Sequence, residues 1–93
     1  MTIKQGKYES YDYDRMIVRF TLLDNEVEVP CSISTPAMDS LDDRAGTTAN
    51  QREAQFMRLR ERIEAQAATK ILKREFEGTP RGIVLRSIDF SAR

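Results

Sequence analysis

The feature that most constrains the fold is one apolar stripe on the longest periodic segment. Between about Gln51 and Phe76, residues Phe56, Leu59, Ile63, Ala67 and Ile71 recur at helical spacing, and Met57, Ala68 and Leu72 widen the same face. A helix over that span would run roughly 39 Å at 1.5 Å per residue. Asn50 is placed to cap it, with Glu53 three residues on as the partner of a capping box, and Gly78 and Pro80 stand as stop signals. A helix with one apolar side must lay that side on something, and the rest of this short chain has to supply it.

The only other sustained apolar pattern has the period of a strand. Met16, Val18, Phe20 and Leu22 share one face of Met16–Leu23, and Val27, Val29, Cys31 and Ile33 alternate with Glu26, Glu28, Pro30 and Ser32. Asp24-Asn25 supplies a hairpin turn, although Glu26 stands where the strongest turn signal would place glycine. Pro30, lacking a backbone donor, favours an edge position. Ser34-Thr35-Pro36 starts a short helix through Leu41, and Arg44–Ala49 reads as a loop. Gly82–Phe90 returns to strand composition and is expected to pair with the hairpin. The expected fold is α+β: a small antiparallel sheet, made of the N-terminal hairpin and the C-terminal strand, packed against one long amphipathic helix, with a short helix before it. Residues 1–93 are read as a single domain, with 1–6 frayed.

The N-terminal tyrosines resist a simple strand. Tyr11 and Tyr13 have one parity and Tyr8 the other, so an extended segment running into a turn near Asp12–Arg15 accounts for them better.

Composition removes much chemistry. The chain has no histidine and one cysteine, which excludes histidine-based triads, HExxH zinc sites and an internal disulfide. Cys31, on an apolar strand face without a nearby base, reads as a small buried hydrophobe rather than a nucleophile. The isolated glycines form no phosphate-binding spacing, and the acidic pairs Asp12/Asp14 and Asp42/Asp43 read as turn and capping residues. No catalytic residue, cofactor or metal ligand is assigned. The start lacks a signal-peptide pattern and no window is apolar enough to span a membrane, so a reducing cytoplasm is the expected location.

The net charge of zero conceals an asymmetry. Residues 1–50 carry five basic and nine acidic side chains, while 51–93 carry ten basic and six acidic ones. Within the long helix, Arg58, Arg62 and Lys73 lie on one polar flank with Gln55, Gln66 and Thr69, and Glu53, Glu61, Glu64 and Glu75 lie on the other. That balance argues against a nucleic-acid footprint, which requires clustered excess positive charge.

The run Met16-Ile17-Val18-Arg19-Phe20, then Val27-Glu28-Val29-Pro30-Cys31-Ser32-Ile33-Ser34, resembles a small bacterial family of uncharacterised proteins called domain of unknown function 1488. Phe56 and Arg60-Glu61-Arg62-Ile63-Glu64, followed by Ala67 and Ile71, are similar to the family's later helix, so the resemblance covers about residues 8–76. Glu26 replaces a glycine often found near the hairpin, and Tyr11 or Tyr13 stands near a commonly tryptophan-bearing region. The resemblance implies a compact bacterial α+β domain and carries no catalytic residues across.

Two functional classes stay open. The expected one is a non-enzymatic protein-interaction or regulatory accessory domain, binding a protein partner or self-associating through the long helix or a strand edge, with Arg58, Arg62 and Lys73 as partner-facing candidates. The other is a small-ligand-binding or enzymatic domain built from Tyr8, Tyr11, Tyr13, Arg81 and Arg86. Nucleic-acid binding ranks below both.

Overall fold

The structure, a computed structural model, describes residues 3–42, 47–78 and 81–90. In chain order the elements are β1 (Ile3–Asp12), β2 (Ile17–Asp24), β3 (Val27–Ser34), α1 (Thr35–Asp42), a 3₁₀ turn (Ala49–Gln51), α2 (Arg52–Leu72), β4 (Ile83–Leu85) and a 3₁₀ turn (Ser87–Phe90). One four-stranded sheet has the order β1-β2-β3-β4. The two helices pack on one of its faces, giving the α+β architecture that the two hydrophobic periods require.

The core joins both periods. Val18, Phe20, Leu22, Cys31 and Ile33 from the hairpin meet Phe56, Leu59, Ile63, Ala67 and Ile71 from α2, closed by Ala37 and Met38 of α1 and by Ile83 and Leu85 of β4. Phe56 lies between Phe20, with ring centroids 5.1 Å apart, and Tyr8, at 5.6 Å. Two residues expected to widen the helix stripe face solvent instead: Met57 and Leu72 lie beyond the width that the narrow sheet covers.

Ile3–Gly6, part of the stretch expected to fray, lie in a strand. They begin β1, which pairs antiparallel with β2 from Ile3↔Asp24 to Asp12↔Ile17. The tyrosine parity is resolved by register shifts between Gln5 and Tyr8 and between Tyr8 and Ser10. Each inserts an extra residue in β1, and the second turns both Tyr8, opposite Phe20, and Tyr11, opposite Val18, toward the core face. Gly6 belongs to the first irregularity, where a Cβ would collide with the backbone carbonyl of Thr21. The buried Thr21 hydroxyl accepts the Lys7 N–H at 3.0 Å there.

The hairpin closes through Asn25 and Glu26 alone, both left-handed, with φ of 52° and 71°. This is the geometry that favours Asn-Gly. The final strand departs from the antiparallel expectation. Two helices carry the chain across the sheet after β3, so β4 arrives running parallel to it, pairing Cys31↔Ile83 to Ile33↔Leu85. Pro30 lies just before that pairing.

Helix boundaries also differ. Thr48, rather than Asn50, precedes the first turn, and its N–H is accepted by Gln51 Oε1 at 3.0 Å. α2 stops at Leu72, before Phe76. Arg74 adopts φ 60°, with Arg74 N–H bonded to Ile71 O and Glu75 N–H to Lys70 O, a C-terminal closure usually made with glycine. Ser34 caps α1, its Oγ accepting the Ala37 N–H at 3.2 Å. The terminal strand is three residues long because Asp89 folds the chain away: its Oδ2 accepts the Arg86 N–H at 2.7 Å, and its own N–H reaches Arg86 O. Arg44–Gly46 of the expected loop, Asp43 before it, Thr79 with the stop signal Pro80, and Met1-Thr2 lie outside the described residues.

Candidate functional site

Two side chains that periodicity places on solvent or cap positions instead organise a polar seam between α1 and α2. Arg52 and Gln55 are buried at the start of α2. Arg52 Nη1 donates to Asp39 Oδ1 and to Gln55 Oε1, both at 2.7 Å, while Gln55 Nε2 donates to Asp39 at 3.0 Å and to Asp42 at 3.3 Å. Arg58 Nη2 extends the seam, donating to Asp42 Oδ2 at 2.6 Å. Burial pushes the Asp39 carboxyl up, and hydrogen bonds from Arg52 and Gln55 overrule it, leaving it below its ordinary value. Acidic α1 against basic α2 thus expresses part of the charge asymmetry inside the fold.

The candidate tyrosines and arginines do not converge on one pocket. Tyr8 is half-buried against Phe56, and burial, then Glu53, raise its pKa. Tyr11 meets the exposed Tyr13 edge-on at 6.1 Å, with the Arg52 guanidinium 6.0 Å from its ring centroid. At the other end of the chain, Arg81 covers Phe76 at 5.5 Å, beside an open depression of about 340 Å³ bordered also by Glu28, Pro30 and Arg74. Arg86 holds Glu77 with both terminal nitrogens, at 3.0 and 2.9 Å. That pairing lowers the Glu77 pKa and raises that of Arg86. Arg62 borders a shallow hollow with Ser40, Leu41, Ser87 and Phe90, and Lys73 stands exposed at the end of α2.

Cys31 is 4 % exposed, and burial pushes its thiol up to about 12, the opposite of nucleophile activation. Lys70, which periodicity alone does not mark, is buried with Nζ 2.9 Å from Val84 O and 3.0 Å from Asp89 Oδ1, tying α2 to the chain end. No group of three or more side chains suited to a metal ion occurs among the described residues, and no helix there is long and apolar enough to cross a membrane.

The remaining candidate is a surface. β1 is the first strand of the sheet, with no strand on its outer side among the described residues. α2 runs above it. Arg60 Nη2 donates to Gly6 O at 3.1 Å while its Nε is held by Glu64 at 2.7 Å, and Gln5 donates to that same carboxylate at 3.1 Å. Exposed Met57 touches Arg60, with Sδ 3.5 Å from Nη1. The edge therefore presents Lys4, Lys7, Glu9 and Ser10 to solvent below a helix flank carrying Met57.

A known sequence pattern spans these elements, from β1 to the start of β4. The pattern described as "Protein of unknown function (DUF1488)" matches residues 5–83. The chain belongs to the DUF1488 family. A crystal structure of a DUF1488 protein of unknown function from Shewanella loihica PV-4 superposes with a TM-score of 0.74 at 20% identity, covering 92% of this chain and 97% of that one. At that identity the likeness establishes the shared fold. No curated protein matches the chain.

Proposed function

We propose that this DUF1488 chain is a small non-enzymatic interaction domain whose partner surface is the free edge of β1 with the adjoining flank of α2. One observation carries the reading: the longest strand of the sheet, ten residues, stands at its end with its outer side open among the described residues. Unpaired backbone donors and acceptors in such a row are a template for another chain. The ionisable groups support the non-enzymatic half of the reading. Asp12, Asp39 and Glu77 are lowered, whereas Tyr8, Cys31 and Arg86 are raised, so each of these moves further from neutrality. A general acid or base works best when tuned toward the working pH.

The test places a photo-crosslinking residue at Ser10 on β1 and, separately, at Thr69 on the flank of α2 that carries Arg62 and Lys73, in the full chain inside bacterial cells. A defined protein adduct from Ser10 and none from Thr69 is expected. Adducts from Thr69 alone would move the partner surface to the Arg58, Arg62 and Lys73 flank, and no adduct from either site would overturn the interaction reading.

A further inference from the structure

We propose that the partner of the β1 edge is a second copy of this chain, joined antiparallel across a two-fold axis at Tyr8. The inference rests on the interaction reading above and names its occupant. The order of charges along β1 favours a second copy. Along β1 the basic residues Lys4 and Lys7 come first and the acidic Glu9 and Asp12 follow. Reversing the strand about Tyr8 sets Lys7 opposite Glu9 and Lys4 opposite Asp12, and the symmetry makes each contact twice.

Facing is consistent with that axis. Lys4 and Asp12 stand opposite Leu23 and Ile17 of β2, on the side away from the core, while Gln5, Tyr8 and Tyr11 stand opposite Leu22, Phe20 and Val18 on the core side. The same two-fold therefore pairs outer with outer and inner with inner. It also maps the two irregularities of β1 onto each other, because they lie on either side of Tyr8. Neighbouring registers are worse. Moving the axis to Lys7 sets that residue against its own copy, and moving it to Glu9 does the same with two carboxylates. Like charges directly opposite are unfavourable.

The monomer gives up little to make these contacts. Lys7 meets Glu28 at 3.8 Å and Lys4 meets Glu26 at 3.2 Å, and all four side chains are more than half exposed, so the pairs exchange cheaply. Asp12 keeps Arg19 and Arg15 and gains a third cation. Arg60 already occupies the Gly6 carbonyl, so the new ladder runs through the remaining groups of the edge.

Sedimentation velocity of the full chain from about 1 to 300 µM tests this. A reversible rise from the 10.7 kDa monomer to twice that mass is expected, with a dissociation constant in the micromolar range that about 1 M salt weakens. Lys7→Glu or Glu9→Lys alone should weaken association about tenfold, since each creates two like-charge contacts. The double exchange should recover it to within about threefold, which also controls for folding, as does the circular dichroism of each variant. A monomer at every concentration, a dimer indifferent to both single changes, or a double exchange without recovery would overturn the proposal. A monomer that still yields a Ser10 adduct to a different protein removes the second copy but leaves the interaction reading standing. A monomer without any adduct removes both.

Discussion

Replacing Glu26 by glycine should stabilise this protein. The β2–β3 turn has two residues, and Glu26 holds φ at 71°, where a side chain crowds its own backbone. That left-handed conformation costs a residue like glutamate about 1–2 kcal/mol. Glycine removes the cost but returns about 0.5–1 kcal/mol, because it has more freedom to lose on folding. The substitution also deletes the exposed contact to Lys4 Nζ at 3.2 Å, which at that exposure contributes no more than about 0.5 kcal/mol. The net gain is about 0.5 kcal/mol, or roughly 3 °C in Tm for a domain of this size. Urea and thermal melts followed by circular dichroism would measure it. Two companions make the reasoning refutable. Asn25→Gly should gain less, since asparagine tolerates this region. Glu26→Ala removes the same charge without relieving the backbone and should gain nothing. If alanine stabilises as much as glycine, repulsion among Asp24, Glu26 and Glu28 is the cause and the backbone argument fails.

Other consequences follow from the same geometry. Gly6→Ala should cost about 2 kcal/mol in urea melts, because the new methyl meets the Thr21 carbonyl at the first irregularity of β1; an unchanged midpoint would refute the close approach. Arg52→Ala should cost about 2 kcal/mol at pH 7 by stripping the principal donor from Asp39. Asp39 has a lowered pKa in the folded state, so this stability is present above the unfolded value of about 3.9 and is lost as pH falls through the lower folded value. The gap between variant and parent should therefore close in acid, and a gap independent of pH would assign the loss to packing. Cys31 behaves oppositely. Its thiol ionises near pH 8.5 when unfolded, by its usual value of about 8.5, but at about 12 when folded. Stability should fall as pH rises through that window, by up to about 1.4 kcal/mol per unit. Cys31→Ala should flatten that alkaline decline, and a thiol reagent at about pH 8 should label the native chain only as fast as it opens; rapid labelling would contradict the burial.

What could be read in the sequence was set by local rules. Phe56, Leu59, Ile63, Ala67 and Ile71 recur at a helix's own period, and Val29, Cys31 and Ile33 at a strand's, so both elements and their buried sides were legible. Gln55 was not. Its position puts it on a polar flank, and it is buried because Asp39 and Asp42 of α1, more than twelve residues away, receive its amide. Lys70 is the same case, held by Val84 and Asp89 from beyond the helix. Arg74 carries no helix-stop signal, yet the chain turns there, because bringing β4 back under α2 requires an early end. Tyr8 and Tyr11 share a face through irregularities that residue parity cannot encode.

The stripe on residues 51–76 fixed that an amphipathic helix exists and that an apolar sheet face must meet it. The sequence also fixed the order of charge along β1, basic before acidic. Tertiary structure decided the rest: that β1 is the outermost strand, that its register turns Tyr8 inward, and that Arg52 and Arg58 are engaged by α1. Periodicity reports which side of an element is apolar, a property of neighbours within one or two turns. Which element takes which position, and which charges find partners, depends on contacts between residues far apart in the chain, and those exist only once the chain has closed on itself.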